Sequence, residues 1–417
     1  MPPAPVVESS ANAAALIAQK VLAVVAGGVL YYRVVKFVTR CVLLPSTVIG
    51  FVNGPALAAA LASHRGARRV SIRASKGAVL DGALLNADAR SAMVYCMANG
   101  VCFEQVLDEA ERIGRHLHRA VLVFNYRGVG KSTGTVYSAA DMVDDVKACL
   151  DYLERERACA PADVLVWGHS IGGACGVIAA FERAHPGPVL ADRSFAYLSR
   201  VVASKVKEGP LAALVAGLIA AGLVIDATLV GLVGWGAVPW PTSNELGSSP
   251  LARPVIVAAS VYVILSQLAP AALAQRSAVQ MGALQLFVGE FALVYIGLDG
   301  LASVPALAVV AFALAFSAGR HGSFDNALVS LVGALGWRLD PGDVWAKIPR
   351  RALTFHRDDE MISPENSLAT AASSNGEIVV ELRRSVGPHE QASGPVCHMY
   401  SMSNDELSGA LLRHAKG

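Results

Sequence analysis

Between residues 69 and 192 the chain alternates short apolar runs with segments of helical spacing. Arg69-Val70-Ser71-Ile72-Arg73 and residues 78–85 read as two early strands, paired as a hairpin. Residues 92–97 and 120–125 read as buried strands, and residues 104–117 between them have the 3.6-residue period of a helix. A charged amphipathic helix is predicted over 139–157. The run Asp163-Val164-Leu165-Val166-Trp167 is the next strand and 188–192 the one after it. Two more apolar runs, 351–356 and 377–382, follow only after a long interruption. Short apolar strands alternating with helices predict an α/β fold, with a mostly parallel sheet covered on both faces.

The interruption has a different pattern. Residues 211–238 are apolar except for Asp226, and 254–274 except for Ser260, Ser266 and Gln267. Residues 281–298 carry Gln285 and Glu290, and 301–318 are almost wholly apolar. Crossing a bilayer takes ~20 apolar residues, so four spans are predicted. An even number returns the chain to the side where the remaining strands must pair. Arg200, Lys205, Lys207, Arg276 and Arg320 lie on the sheet side against Arg253 on the other, which predicts a multi-pass membrane protein with its sheet domain in the cytoplasm. The alternative is a large apolar lid on a soluble enzyme, favoured by Asp226 and Glu290, because buried acids are costly in lipid.

The N-terminus repeats the theme. Residues 11–32 are apolar apart from Gln19 and Lys20, and Arg33, Lys36 and Arg40 follow. Residues 41–62 are broken by Pro45, Asn53 and Pro55. The first ten residues carry no basic charge, which argues for a membrane anchor or surface helix over a cleaved signal. The expected organisation is therefore an apolar membrane-associated segment (1–62), a first core part (63–204), an apolar helical insertion (205–335) and a second core part (336–417).

Composition agrees with this division. Of 417 residues 54% are hydrophobic and 16% charged, against about 25% charged in a typical soluble domain; mean hydropathy is +0.46. A net charge of +2, with no basic run interleaved with aromatics, gives no reason to expect nucleic acid. Seven cysteines without C-x-x-C spacing argue against a disulfide framework or a zinc site, and no metal or cofactor is implied.

The chemistry centres on Gly168-His169-Ser170-Ile171-Gly172, a G-x-S-x-G directly after a predicted strand and before a small-residue segment that can start a helix. That context makes a nucleophile elbow, a tight turn that pushes the serine hydroxyl outward. A serine needs a base, and the base an orienting acid. In hydrolases that carry such an elbow the chain order is serine, acid, histidine, which implies an acid after the strand that ends at His356; Asp359, followed by the apolar pair Met361-Ile362, is the first choice and Asp358 the second. The base is expected after the last strand, in the loop Gly387-Pro388-His389-Glu390, which selects His389. His169 is expected to pack beside the nucleophile; the other histidines, His398 among them, read as surface or satisfied residues. The Ile171 amide and one from Asn99 or Gly100 would stabilise an oxyanion.

Two further patterns are set aside. Gly128-Val129-Gly130-Lys131-Ser132 resembles the end of a phosphate loop but has Asn125 where the first glycine belongs. Asp141, Asp144 and Asp145 do not share one helix face and read as solvated.

Over 69–192 and 339–416 these motifs, with Phe124-Asn125-Tyr126-Arg127 and Asp192-Arg193-Ser194-Phe195, resemble the α/β-hydrolase superfamily of serine hydrolases. Within it, the Asn99-Gly100 loop with Val101-Cys102-Phe103-Glu104 looks most like the bacterial group of chlamydial 43 kDa protein homologues and Legionella proteins. The family's usual His-Gly pair before the oxyanion residue is absent here. The resemblance implies an eight-stranded sheet and hydrolysis of an ester, thioester or amide. Together with the apolar insertion, it points to membrane lipid or acylated protein as partner and acyl source. The alternatives are a non-catalytic membrane scaffold that keeps the fold, or an acyltransferase using the same triad.

Overall fold

The computed structural model describes residues 36–208, 335–372, 378–382, 396–399 and 401–411, with isolated positions 33, 329, 332 and 333. Nearly all of them belong to one compact unit, 39–202 together with 335–417.

Eight strands form its sheet: β1 (Arg68–Arg73), β2 (Val79–Leu85), β3 (Ser91–Cys96), β4 (Arg119–Phe124), β5 (Val164–His169), β6 (Val189–Asp192), β7 (Arg351–Phe355) and β8 (Ile378–Glu381). Their spatial order is β1-β2-β4-β3-β5-β6-β7-β8. β2 runs antiparallel to both its neighbours, and every pairing from β4 through β8 is parallel. The first two strands are the predicted hairpin, and the whole is the α/β-hydrolase fold that the sequence resemblance implied.

Burial follows position in the sheet. The edge strand β1 alternates exposed and buried residues, whereas β5 at the centre is buried throughout. An interior parallel strand has both faces covered, so it reads as a continuous apolar run. Helix α3 (Leu107–Leu117) covers one face with Leu107, Ala110 and Ile113 against Met93, Val121, Val123, Leu165 and Trp167. Its C-terminus closes on His118 in the left-handed conformation, φ 54°. Helix α4 (Ala139–Glu156) is capped by Ser138 and Asp141, and α5 (Ile171–Glu182) follows β5 directly. Two short helices, α1 (Ser46–Val52) and α2 (Gly54–Ser63), precede the sheet, α6 (Leu198–Glu208) leaves it after β6, and the short α7 (Gly342–Trp345) precedes β7.

The acidic helix corrects the solvated reading. Asp141 and Asp145 are fully buried. The Arg127 guanidinium donates to both Asp145 Oδ1 (2.6 and 2.8 Å) and Asp141 Oδ1 (3.3 Å), and the Arg127 amide donates to Asp145 Oδ2 (2.9 Å). Lys76 donates to Asp141 as well, at 2.6 Å. The two carboxylates hold the turn after β4 onto α4. Residues 128–132 form part of that turn, and Ser132 Oγ donates to the Asn125 carbonyl at 2.8 Å.

The four predicted spans lie outside the described residues. Among the described residues no single helix is long and apolar enough to cross a membrane; one pair, Ser46–Val52 with Gly54–Ser63, passes by length and composition together but bends by 81°.

Candidate active site

Parallel pairing fixes what meets at the C-terminal edge of the sheet, where open α/β sheets place their sites. Register sets Cys96 beside Gly168, His169 beside Asp192 and Asp192 beside Thr354. The ends of β3, β5, β6 and β7 therefore stand in a row.

Ser170 follows β5 with φ 56° and ψ −122°. Few non-glycine residues adopt a positive φ, and such strain persists only where the surroundings over-determine it. Here they do. The Ser170 amide donates to the Asp192 carbonyl (2.9 Å), and its own carbonyl accepts from Ser194 Oγ (2.8 Å) and from the Gly173 amide (3.0 Å). The elbow glycines are dictated by close approach. A Cβ at Gly172 would stand 2.5 Å from the Met97 carbonyl oxygen and nearer still to that of Cys96. This contact sets the turn hard against the end of β3, and so against the loop carrying Asn99 and Gly100.

That loop is also tied to α1: the Asn99 carbonyl accepts from the Ser46 amide at 3.0 Å. Ile171 is the first residue of α5 and is buried. The three expected oxyanion donors thus lie on the two segments that Gly172 brings together.

Asp359 is buried in the turn after β7, whereas Asp358 is exposed. Asp359 Oδ1 accepts the Met361 and Ile362 amides at 2.9 and 2.8 Å. Both its oxygens face one ring nitrogen, His398 Nδ1, at 3.0 and 2.9 Å. Burial opposes charge on this carboxyl, but the His398 and amide hydrogen bonds outweigh it and hold it below the ordinary carboxylate range.

The expected base, His389, lies outside the described residues. The imidazole on Asp359 belongs to His398, which the sequence reading passed over as an ordinary histidine. His398 is buried and sits on the short helix α8 (Val396–Met399), beyond a long connection from β8. Its ring lies 4.9 Å, centroid to centroid, from that of His169, the residue before Ser170. A histidine beyond a connection of free length leaves no periodic signal in the sequence. The available signal was a histidine in a short apolar stretch just before the C-terminal helix α9 (Asn404–Leu411).

His169, the residue before Ser170, packs against His398. Its Nε2 meets the His398 carbonyl at 2.8 Å. Burial, reinforced by the nearby Arg193, pushes its pKa down to about 3, so the ring is neutral and Nε2 carries the donated proton.

A second buried carboxylate, Asp192, stands one strand away. Arg193 takes both its oxygens at 2.8 Å, and Thr354 Oγ1 donates at 2.6 Å. Burial alone would raise its pKa, but these partners bring it down to about 2. Asp192 is committed to Arg193, leaving Asp359 as the acid that faces an imidazole.

Among the described residues no cluster of histidine, cysteine or acidic side chains is arranged to hold a metal ion.

Residues 60–187 match the family described as Chlamydia CHLPS protein (DUF818). Protein bem46 of Schizosaccharomyces pombe is 31% identical over 113 residues, 26% of this chain and 38% of that protein; the match spans less than two-fifths of the relative. Among solved structures, the Pyrococcus furiosus esterase Pf2001 is similar at 20% identity and a TM-score of 0.30, over 34% of this chain and 54% of that one. An α/β hydrolase from Vibrio vulnificus matches at 19% identity and a TM-score of 0.30, covering 36% and 52%. The carboxylesterase EstE1, cloned from a metagenomic library, matches at 17% identity and 0.29, covering 36% and 56%. Each is a likeness at low identity, of fold and no more.

Proposed function

We propose that the chain is a serine hydrolase that cleaves an acyl ester or thioester through Ser170, His398 and Asp359. The contact of His398 Nδ1 with Asp359, with the His398 ring 4.9 Å from that of His169, the residue before the strained Ser170, carries this reading. With Nδ1–H given to an ionised Asp359, the basic nitrogen is Nε2. Nε2 takes the Ser170 proton as Oγ attacks the acyl carbonyl and returns it to the leaving alcohol or thiol. The Ile171 amide and that of Asn99, or of Gly100, receive the negative oxygen of the tetrahedral intermediate. Water then enters by the same route, activated by His398, and releases the acid. Ser170 directly after β5, Asp359 in the turn after β7 and His398 on a short helix after β8 follow the chain order serine, acid, histidine of the α/β-hydrolase triad, and this supports the assignment.

The acyl group is proposed to be apolar, drawn from membrane lipid or an acylated protein. The four apolar stretches between 211 and 318 support this, and with them a membrane-bound enzyme whose sheet domain faces the cytoplasm. A fluorophosphonate probe tests the chemistry: the folded protein labels, and labelling disappears in Ser170→Ala. Absence of labelling in the folded wild-type protein overturns the proposal. Competition by long-chain lipid esters, but not by short soluble esters, tests the acyl class.

A further inference from the structure

His398 is gripped through its backbone as well as its ring. Its carbonyl accepts from His169. Its amide and that of Cys397 point to Glu360, the residue after Asp359: Cys397 N lies 3.2 and 3.1 Å from the two carboxylate oxygens, and His398 N lies 3.3 Å from Oε2. The Cys397 carbonyl faces Arg193 Nη1 at 3.4 Å. The first amides of a helix have no partner within it, and in α8 two of these are taken by a side chain 37 and 38 residues earlier in the chain.

We propose that Glu360 is a positioning residue for the base. On the triad reading, it fixes the backbone of His398 while Asp359 fixes the ring, so that one turn, Asp359-Glu360, sets both the place and the orientation of the imidazole. A ring held only by Nδ1 can pivot about that hydrogen bond. His398 lies in a four-residue helix, too short to hold itself by its own ladder. Two amides anchored on a turn that also ends β7 tie the ring to the sheet. The carboxylate is exposed, so it is not part of the buried packing, and its charge is stabilised by the amides it accepts from. Displacements of ~1 Å at a catalytic base cost up to about 100-fold in rate. Loss of this anchor, with the ring still on Asp359, should cost about tenfold.

The test is the rate of fluorophosphonate labelling and the separation of kcat from KM on a p-nitrophenyl ester, in Glu360→Ala and Glu360→Gln beside Ser170→Ala and His398→Ala. Glu360→Ala is expected to lower kcat and the labelling rate about tenfold with KM within about twofold. The glutamine carbonyl can occupy the place of Oε2, which serves both amides, so Glu360→Gln should recover most of the loss. A purely structural role predicts neither the split nor the rescue. Wild-type rates in Glu360→Ala, with Ser170→Ala and His398→Ala inactive, overturn the positioning role and leave the triad standing. Wild-type rates in His398→Ala overturn the triad itself. Should Glu360→Ala not fold, Glu360→Asp decides: it keeps the charge but withdraws it by one methylene, and wild-type labelling there overturns the proposal.

Discussion

Replacing Gly172 by alanine isolates the geometry on which the elbow depends. The new methyl carbon would lie 2.5 Å from the Met97 carbonyl oxygen and closer to that of Cys96. A carbon and a carbonyl oxygen rest at about 3.3 Å or more, so the overlap approaches ~1 Å against two backbone groups. Neither can step aside. β3 is hydrogen-bonded to β4 on one side and β5 on the other, through Cys96 itself in the second case. Shifting α5 instead moves a helix whose residues from Ile171 to Val177 are all buried.

Overpacking usually costs about 1–3 kcal/mol, and a clash with two fixed carbonyls belongs at or above the top of that range, about 3–5 kcal/mol. For a folded unit of this size each kcal/mol moves Tm by about 2–4 °C, so a fall of roughly 6–20 °C is expected. Thermal unfolding by circular dichroism, with a urea titration for the midpoint, measures it. Gly409→Ala is the control, being the same chemical change on α9 with nothing within 4 Å of the new atom. It should gain about 0.5–1 kcal/mol from helix propensity. The two substitutions must therefore differ in sign. If Gly172→Ala melts within about 2 °C of wild type and labels normally, the elbow is not packed against the end of β3 and the oxyanion loop is not positioned by it.

Four further outcomes are expected. His398→Ala should lose at least about 1,000-fold in labelling rate, while His389→Ala stays near wild type; the reverse result reinstates His389 as the base. Asp359→Asn should lower kcat by up to about 10,000-fold through the wrong tautomer, with Asp358→Asn unaffected, as steady-state kinetics would show. Arg127→Met leaves Asp145 buried without its cation, Asp141 keeping Lys76, and urea unfolding should report a loss of about 3–5 kcal/mol. His169 gives a pH dependence. Its folded pKa of about 3 lies below the ordinary 6.5, so between those values the unfolded chain holds a proton that the folded chain does not, and stability falls as pH drops, by up to about 1.4 kcal/mol per unit. His169→Asn keeps an N–H for the His398 carbonyl but cannot titrate. Its stability should fall less steeply from pH 6.5 to pH 4, and parallel curves for the two proteins refute the assignment. His185, also pushed down by burial, contributes equally to both curves.

What the sequence made legible has a physical common factor. Periodicity reports burial, and β1 to β7 each bury at least one face, so they could be placed to within about two residues; β8, with Val379 exposed and Val380 half-buried, was read from its apolar run alone. Ser170 was legible because the backbone of a tight turn demands glycine at fixed offsets. Asp359 was legible because it follows a strand whose place in the series was known. His398 was not: it lies seventeen residues beyond the last strand residue, Glu381, where no repeat constrains the chain. Asp141 and Asp145 were misread for a related reason. Helix spacing shows which residues share a face, but their partner Arg127 comes from a different element fourteen or more residues away. A charged residue looks solvated in one dimension until its counter-ion is found in three.

The same lesson separates the two buried carboxylates at the sheet edge. Asp192 and Asp359 are alike in burial and in place, each just beyond or at the end of a neighbouring parallel strand. They differ in what faces them. A guanidinium is always charged, so the Asp192–Arg193 pair is neutral as a unit at every stage of a reaction and holds structure: Thr354 Oγ1 donates to the Asp192 carboxylate, while the Asp192 backbone carbonyl accepts the Ser170 amide. An imidazole is neutral at rest and charged only after it has taken a proton. On the proposed mechanism the negative charge of Asp359 is balanced only in the step in which His398 takes the serine proton. Only that second arrangement stabilises the transition state more than the ground state, which is the condition for catalysis. On the proposed mechanism, exchanging the partner of Asp359 for a permanent cation, as in His398→Arg, should preserve the fold while abolishing the reaction; a folded His398→Arg protein that still labels would remove Asp359 from the mechanism.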